Sequence, residues 1–438
     1  MANLDRRKFL QATASGVTAV SLAHAAARNV RGASGKIRVG VIGVGGQGSS
    51  HVNKFLALTD VDLVYVCDPD QERAASAAKR APGARPVEDL RRILDDTSID
   101  AVSIATPDHW HAPAAILACE AGKHVYVEKP CCHNFREGQA LVAAARRHNR
   151  VVQHGTQQRS NPFTAGAIQL LREGIIGDVL VAKAWNIQRR ANIGHSTPGE
   201  PPAGFNYDLW VGPAPFVPYR HNCHHYTWHW WYDFGTGDLG NDGVHDLDYA
   251  RWGLGVTELP TKVNAIGGKY YFDDDQQFPD TMTAVFEYPG NGQVGQRRQL
   301  IFEMRIWSRN YPFNTDSGAE FYGTKGKMLL SKRGKLEILD DANKPIETPS
   351  PRPDVVQVAD HYADFIDAIR NQRAPNAEIE IGFQSAALCN LGNLSARLGR
   401  SLELNRQTMA IVDDEEATRF LGRSYREGGH WAVPQELA

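Results

Sequence analysis

Ile37, Val39, Val41 and Ile42 are apolar and lead directly into a glycine turn. A short apolar run of this kind predicts a strand buried on both faces. Gly43, Gly45 and Gly48 follow with the spacing G-x-G-x-x-G, with Gly46 and Gln47 inside it, and Gln47–Leu58 reads as the next helix. The first glycine allows the tight turn, the second lets backbone approach a pyrophosphate, and the third lets helix pack on strand. The positive helix N-terminus then faces the phosphates. A second apolar run, Asp62–Cys67, ends in Asp68, twenty residues after Gly48. A carboxylate there bonds both ribose hydroxyls of NAD and repels the 2′-phosphate of NADP. The pattern therefore predicts a bound dinucleotide, NAD rather than NADP.

Further along, the pattern predicts helices at Gln71–Lys79 and Val87–Leu94, with a turn at Pro82-Gly83. A third strand, Ala101–Ala105, is ended by Thr106-Pro107. Asp108, His109, Trp110 and His111 form a loop before the helix Pro113–Ala121. Strand Val125–Val127 runs into Glu128-Lys129-Pro130, followed by helix Arg136–His148 and strand Val151–Gly155. Five strands alternating with helices predict a right-handed parallel sheet, and a nucleotide-binding domain over 36–158. The rest, 159–438, has a different texture. Helix Phe163–Glu173 and strand Val179–Ile187 precede a long polar and aromatic stretch, 188–243. Strand-like runs follow at Lys262–Ile266, Thr281–Tyr288, Gln299–Trp307, Ala319–Gly323, Lys327–Leu330 and Lys335–Leu339. Tight turns link the last three, so this sheet is expected to be mainly antiparallel. Helices Val358–Asn371 and Gly382–Leu398 close the domain. The fold class is α/β.

The chain has 438 residues, 42% of them hydrophobic, and a formal net charge of -2. Nothing in that composition suggests a disordered chain or a nucleic-acid binder. No apolar run after residue 30 is long enough to span a bilayer. Near the N-terminus, Arg6-Arg7 precede Phe9-Leu10 and an Ala-rich stretch over 12–27, with small-residue cleavage sites at Ala23-His24-Ala25 or Ala25-Ala26-Ala27. Residues 1–35 look like a twin-arginine export signal and linker. This predicts a periplasmic protein, folded around its cofactor before it engages the twin-arginine (Tat) translocase. The six cysteines form no disulfide framework; Cys67 and Cys119 read as core, and Cys131-Cys132 adjoin the candidate site.

Four segments together resemble the Gfo/Idh/MocA oxidoreductases. They are Glu128-Lys129-Pro130, Ala105-Thr106-Pro107 with His111, the run from Gly237 to His245, and the run from Phe321 to Gly326. The likeness covers essentially the whole mature chain. It is greatest to the exported branch, which carries an aromatic segment like Tyr226–Tyr232. The resemblance implies a Rossmann domain and a C-terminal α/β domain with an open antiparallel sheet. Such sheets pair face to face, so a homo-oligomer, dimer or tetramer, is expected. It also implies sugar or polyol substrates and NAD(P), with Thr106, Pro107, His111, Glu128 and Lys129 beside the cofactor.

Hydride transfer from a sugar carbinol needs a base for the hydroxyl proton and a cation for the developing alkoxide. The resemblance gives Lys129 contact with both substrate and cofactor. His245, at the start of a helix Val244–Trp252, has an ordinary pKa of ~6.5, which suits a base. Relatives place an aspartate four residues before this histidine, where this chain has Asn241. Asp242 is one position late, a rotation of ~100° on a helix. Asn241 can orient substrate or imidazole through its amide, or Asp242 can take over the carboxylate role. Trp228, His229 and Trp230 offer flat faces to a pyranose. His225 and His229 have helical metal-ligand spacing, but nothing fixes a third ligand and no metal is expected. The leading expectation is an exported NAD-dependent sugar oxidoreductase. The alternatives are an NAD-using glycosidase or lyase acting by transient oxidation, and a non-catalytic sugar-binding protein of the same fold.

Overall fold

The structure is a computed structural model that describes residues 35–347 and 360–427. The export segment, and Val358 and Ala359 of an expected helix, lie outside the described residues.

The first sheet has strands β1 (Ile37–Ile42), β2 (Val61–Cys67), β3 (Arg85–Val87), β4 (Ala101–Ile104), β5 (His124–Val127) and β6 (Val152–His154). They are parallel and ordered β3-β2-β1-β4-β5-β6. The chain order reverses between β1 and β4, where such folds bind ligands. The sheet has one strand more than expected. Residues 85–87 pair with Tyr65, Val66 and Cys67, and the helix predicted from Val87 is only Arg91–Leu94. Arg85-Pro86-Val87 has no alternation to read, and Pro86 is tolerated because β3 is the edge.

A second correction concerns Asp108, His109, Trp110 and His111. They are the first turn of the helix Asp108–Glu120, which starts after Pro107 and contains Pro113. Pro113 has no N–H for the carbonyl four residues back. That carbonyl, His109 O, instead accepts from Arg423 Nη2 at 2.7 Å.

The second sheet has nine strands: β7 (Val179–Ile187), β8 (Lys262–Gly268), β9 (Thr281–Tyr288), β10 (Arg298–Arg305), β11 (Ser317–Gly323), β12 (Gly326–Ser331), β13 (Lys335–Asp340), β14 (Leu402–Asn405) and β15 (Ala410–Ile411). The order is β13-β12-β11-β7-β10-β9-β8-β14-β15. Every pairing is antiparallel except that of β7 with β10. Alternate residues of β9 and β10 (Met282, Ala284, Phe286, Leu300, Phe302, Met304) are buried. Helices Val244–Leu254 and Ile379–Leu398 pack against this sheet. Each large side chain in this layer contributes roughly 1.5–3 kcal/mol by leaving water. Two glycines let the first helix lie close: a Cβ at Gly243 would come 2.7 Å from Phe302, and one at Gly253 2.3 Å from Phe321. That closeness fixes the height of residues 241–245 above the sheet.

Between β7 and β8 the chain leaves the sheet and forms an arm. Phe205, Tyr207, Trp210, Val211, Cys223, Trp228, Trp231 and Phe234 give the arm a small core of its own. It reaches back to the first domain, where Asp70 bridges Phe205, Gln71 N donates to Gly204 O (3.0 Å) and Asn206 N donates to Pro69 O (2.8 Å).

Candidate active site

The glycine turn is built for a ligand that approaches backbone. Gly43 has φ +78°, and a Cβ there would lie 2.6 Å from Ala105 O. A Cβ on Gly48 would lie 1.8 Å from Gly43 O, so only glycine lets the helix Gly46–Leu56 sit on β1. Asp68 closes β2. Its carboxylate accepts from Val44 N and Asp70 N, both at 3.0 Å, and burial raises its pKa. A cavity of 340 Å³ runs from Asp68 and Arg73 past Gly43, Gly45, Gly46 and Gln47, then Thr106, Pro107 and His111, to Lys129, Trp228, His229 and Asn241. Thr106 Oγ1 is buried on its wall with no protein partner. The bare turn, the acid at one end and the orphan hydroxyl midway fit an extended dinucleotide.

Two residues expected at the cofactor act mainly on the frame. His111 Nδ1 lies 2.6 Å from Pro130 O and Nε2 2.9 Å from Thr106 O. Both ring nitrogens thus face backbone, and burial lowers the pKa to about 4. Glu128 accepts from His51 Nε2 (2.9 Å), Gln47 Nε2 (3.1 Å), Gln157 Nε2 (3.3 Å) and Lys129 N (3.1 Å). Burial pushes its pKa up, but the His51 bond and the charges of His51 and Lys129 hold it well below the carboxylate range. Glu128 therefore ties the glycine turn to Lys129.

Lys129 stands between two cavities. Its Nζ donates to Asn241 O and, at 3.3 Å, to Asn241 Oδ1. Asn241 Nδ2 donates to Asp238 Oδ1 at 3.0 Å and to the Tyr226 hydroxyl at 3.4 Å. The second cavity, 650 Å³, is lined by Gln47, Lys129, Gln157, Asn161, Asp242 and His245 among others. Residues Leu239–Gly243 form a π-helical turn before the helix Val244–Leu254. This wider turn resolves the one-position offset. Asn241 faces the first cavity, Asp242 the second, and neither displaces the other.

Asp242 accepts from Gln188 Nε2 at 2.8 Å and is paired with Arg190. Burial opposes its charge, but Lys332, Arg190 and Lys129 keep it ionised, far below the usual range. It is a paired anion, unsuited to taking a proton. His245 is pushed down to about 3 by burial and then by the charges of Lys332 and Lys129. It stays neutral, and it is a weaker proton acceptor than the ordinary histidine expected from the sequence.

Trp228 stacks on His229, with ring centroids 3.6 Å apart and planes at 19°, on the wall of the first cavity. His229 Nδ1 is bonded to Tyr226 O, and burial takes its pKa to about 3. Trp230 does not join them. It is 2% exposed, packed with Phe272 and Ile306 beneath the arm. Its assignment to substrate is corrected: it is core. His225 turns away from His229 toward Asp70. Among the described residues no three His, Cys, Asp or Glu side chains group as a metal site, and all six cysteines are free and buried.

The sequence reading missed Arg190, Asp238, Gln188 and Lys332. Arg190 pairs with Asp238 at 3.0 Å, donates to the Tyr226 hydroxyl at 3.1 Å and bonds Asp242. Lys332 lies 3.4 Å from buried Asp246. The available signal for Gln188, Arg190 and Lys332 was their place just beyond the ends of β7 and β12, and for Asp238 its place inside the run from Gly237 to His245.

Residues 37–156 match the description "Oxidoreductase family, NAD-binding Rossmann fold", and residues 184–432 match "Oxidoreductase family, C-terminal alpha/beta domain". An alpha-N-acetylgalactosaminidase of Shewanella oneidensis is 33% identical over 211 residues, 42% of this chain and 46% of that protein. A levoglucosan dehydrogenase of Pseudarthrobacter phenanthrenivorans is 29% identical over 228 residues, 50% of this chain and 51% of that one. The chain thus spans about half the length of the curated relatives it matches. Among solved structures, levoglucosan dehydrogenase in complex with NADH and levoglucosan superposes with a TM-score of 0.65 at 22% identity, covering 85% of this chain and all (100%) of that one. The WlbA dehydrogenase of Bordetella pertussis, in complex with NADH and UDP-GlcNAcA, gives 0.64 at 21%, covering 84% and 99%. The chain belongs to the Gfo/Idh/MocA family of oxidoreductases, with an NAD-binding Rossmann domain followed by the family's C-terminal α/β domain.

Proposed function

We propose that this protein oxidises a sugar or glycoside at a ring carbinol, with NAD held firmly and preferred over NADP. The observation that carries the reading is Lys129, shared by the dinucleotide cavity and the cavity of His245. NAD, when bound, supplies the hydride acceptor. Lys129 spends two donors on Asn241 and keeps a third for the carbinol oxygen as it gains charge. Neutral His245 takes the hydroxyl proton, and Trp228 offers a flat face to the ring. The Arg6-Arg7 segment supports export to the periplasm. The open sheet of the family supports a homo-oligomer.

A second reading is favoured by two neutral imidazoles, His229 and His245, one lining each of the two cavities that Lys129 joins. One can serve the carbinol and the other a neighbouring C–H, so that transient oxidation leads to elimination of a glycosidic group. The galactosaminidase relative points the same way. Screening aryl glycosides against the purified protein separates the readings. Accumulating reduced cofactor supports the first; released aglycone without net reduction supports the second. Lys129→Ala should lower turnover ~10²–10³-fold with the dinucleotide still bound. Near-normal turnover removes Lys129 from the mechanism. Because His245 is held at about 3, kcat/KM should show no acid limb near the ordinary histidine value. A limb there that His245→Gln abolishes would overturn its environment as described.

A further inference from the structure

The arm and the helix Gln71–Arg80 meet at one carboxylate. Asp70 Oδ1 caps that helix, accepting from Glu72 N (3.0 Å) and Arg73 N (3.2 Å). Its other oxygen faces two side chains: Arg73 Nε at 3.6 Å and His225 Nε2 at 3.4 Å. Arg73 belongs to the first domain and His225 to the arm. Phe205, whose backbone bridges Asp70, also packs edge-on against His225 at 5.0 Å. Arg73 Nη1 then reaches back over the glycine turn, where a Cβ on Gly45 would come within 2.5 Å of it. All of this lies at the Asp68 end of the cavity, where Leu209 and Trp210 of the arm complete the wall.

We infer that Arg73 and His225, joined across Asp70, form a clasp that closes the adenosine end of the dinucleotide cavity and keeps the cofactor bound from one turnover to the next. The inference rests on the NAD reading above and adds the device that retains it. Arg73 sets a cation over the turn that would carry the pyrophosphate. His225 seats the arm on Asp70. The arm cannot lift at this end alone, because Trp210 O accepts from both His109 Nε2 and Trp110 Nε1 (each 2.9 Å) and Phe234 O accepts from His109 N (3.1 Å). Release needs several of these bonds broken together. A cofactor that stays must give its hydride back inside the same site, to the same substrate or to a second one.

The test loads the full-length protein with NAD and chases it with excess etheno-NAD, following fluorescence. Wild type should exchange slowly. His225→Ala and Arg73→Gln should each raise the off-rate at least tenfold. His225→Gln, which keeps a donor for Asp70, should restore most of the retention. Off-rates within twofold of wild type in both disruptive variants overturn the clasp and leave NAD binding intact. Failure of the wild type to bind NAD at all overturns the reading beneath it, and the clasp with it.

Discussion

Asn241 shows how much one side chain is set by its neighbours. Its amide donates to buried Asp238 while its two oxygens hold Lys129. An aspartate cannot simply take its place. Asn241→Asp removes the donor and sets a second carboxylate 3.0 Å from the first, in a place where burial already raises the pKa of Asp238. The substitution should cost ~2–4 kcal/mol, with Arg190 offsetting part of the repulsion. Exchanging the pair, Asn241→Asp with Asp238→Asn, should recover at least half of that. Denaturant midpoints of the wild type, single and double variants check this. Additive losses would mean that the two residues are not coupled.

At the scale of elements, the glycine turn is the most demanding joint. Gly48→Ala drives a Cβ into Gly43 O, a backbone atom that cannot swing aside. The helix Gly46–Leu56 must lift from β1. We expect a loss of about 3 kcal/mol or more and at least tenfold weaker NAD binding, read by thermal unfolding and titration. A variant with wild-type stability would show that the helix is not seated as described. This joint was legible in the sequence because three glycines, an apolar run and an acid state one geometry within a few dozen residues. The strands were legible wherever apolar residues alternate, as in β9 and β10. β3, β14 and β15 were not: Arg85-Pro86 gives β3 no apolar run, and β14 and β15 follow the helix Ile379–Leu398, beyond the strand–helix alternation that frames the equally short β4, β5 and β6. The site was half legible. Lys129 and His245 carry family signatures and Asn241 stands out as a departure from one, but Arg190 reaches Asp238 across 48 positions and Lys332 reaches Asp246 across 86. Trp230 was misjudged because an aromatic segment does not reveal which ring faces inward.

The whole molecule responds to pH through its buried imidazoles. His109, His154 and His229 are each held near about 3 by burial, whereas in the unfolded chain they titrate at ~6.5. Below that value the unfolded state binds protons that the folded state refuses, so stability falls as pH falls. Each such histidine contributes about 1.4 kcal/mol per pH unit across the interval. Buried Asp108 and Asp246, raised to about 7 and about 6, act in the opposite direction. They keep protons in the folded state that the unfolded state releases above ~4. The histidines outnumber them, with His111, His124 and His224 also lowered to about 4. Urea midpoints should therefore drop markedly between about pH 7.5 and about pH 5.5. Unchanged midpoints would mean that these rings are charged in the fold.

Arg423 closes two separate gaps in the nucleotide-binding domain. It supplies the donor that Pro113 denies to His109 O, and with Tyr425 it neutralises Glu137, a fully buried carboxylate in the helix Phe135–Arg147. Both needs arise in the nucleotide-binding domain, and both are met by residues 286 to 314 positions further along the chain. Until those residues dock, the nucleotide-binding half carries an orphan carbonyl and an uncompensated buried charge, each of which opposes closure of its core. The completion of that half is thereby tied to the docking of the segment that carries Arg423 and Tyr425. Without that segment, the first domain alone cannot close its core around Glu137 and His109 O.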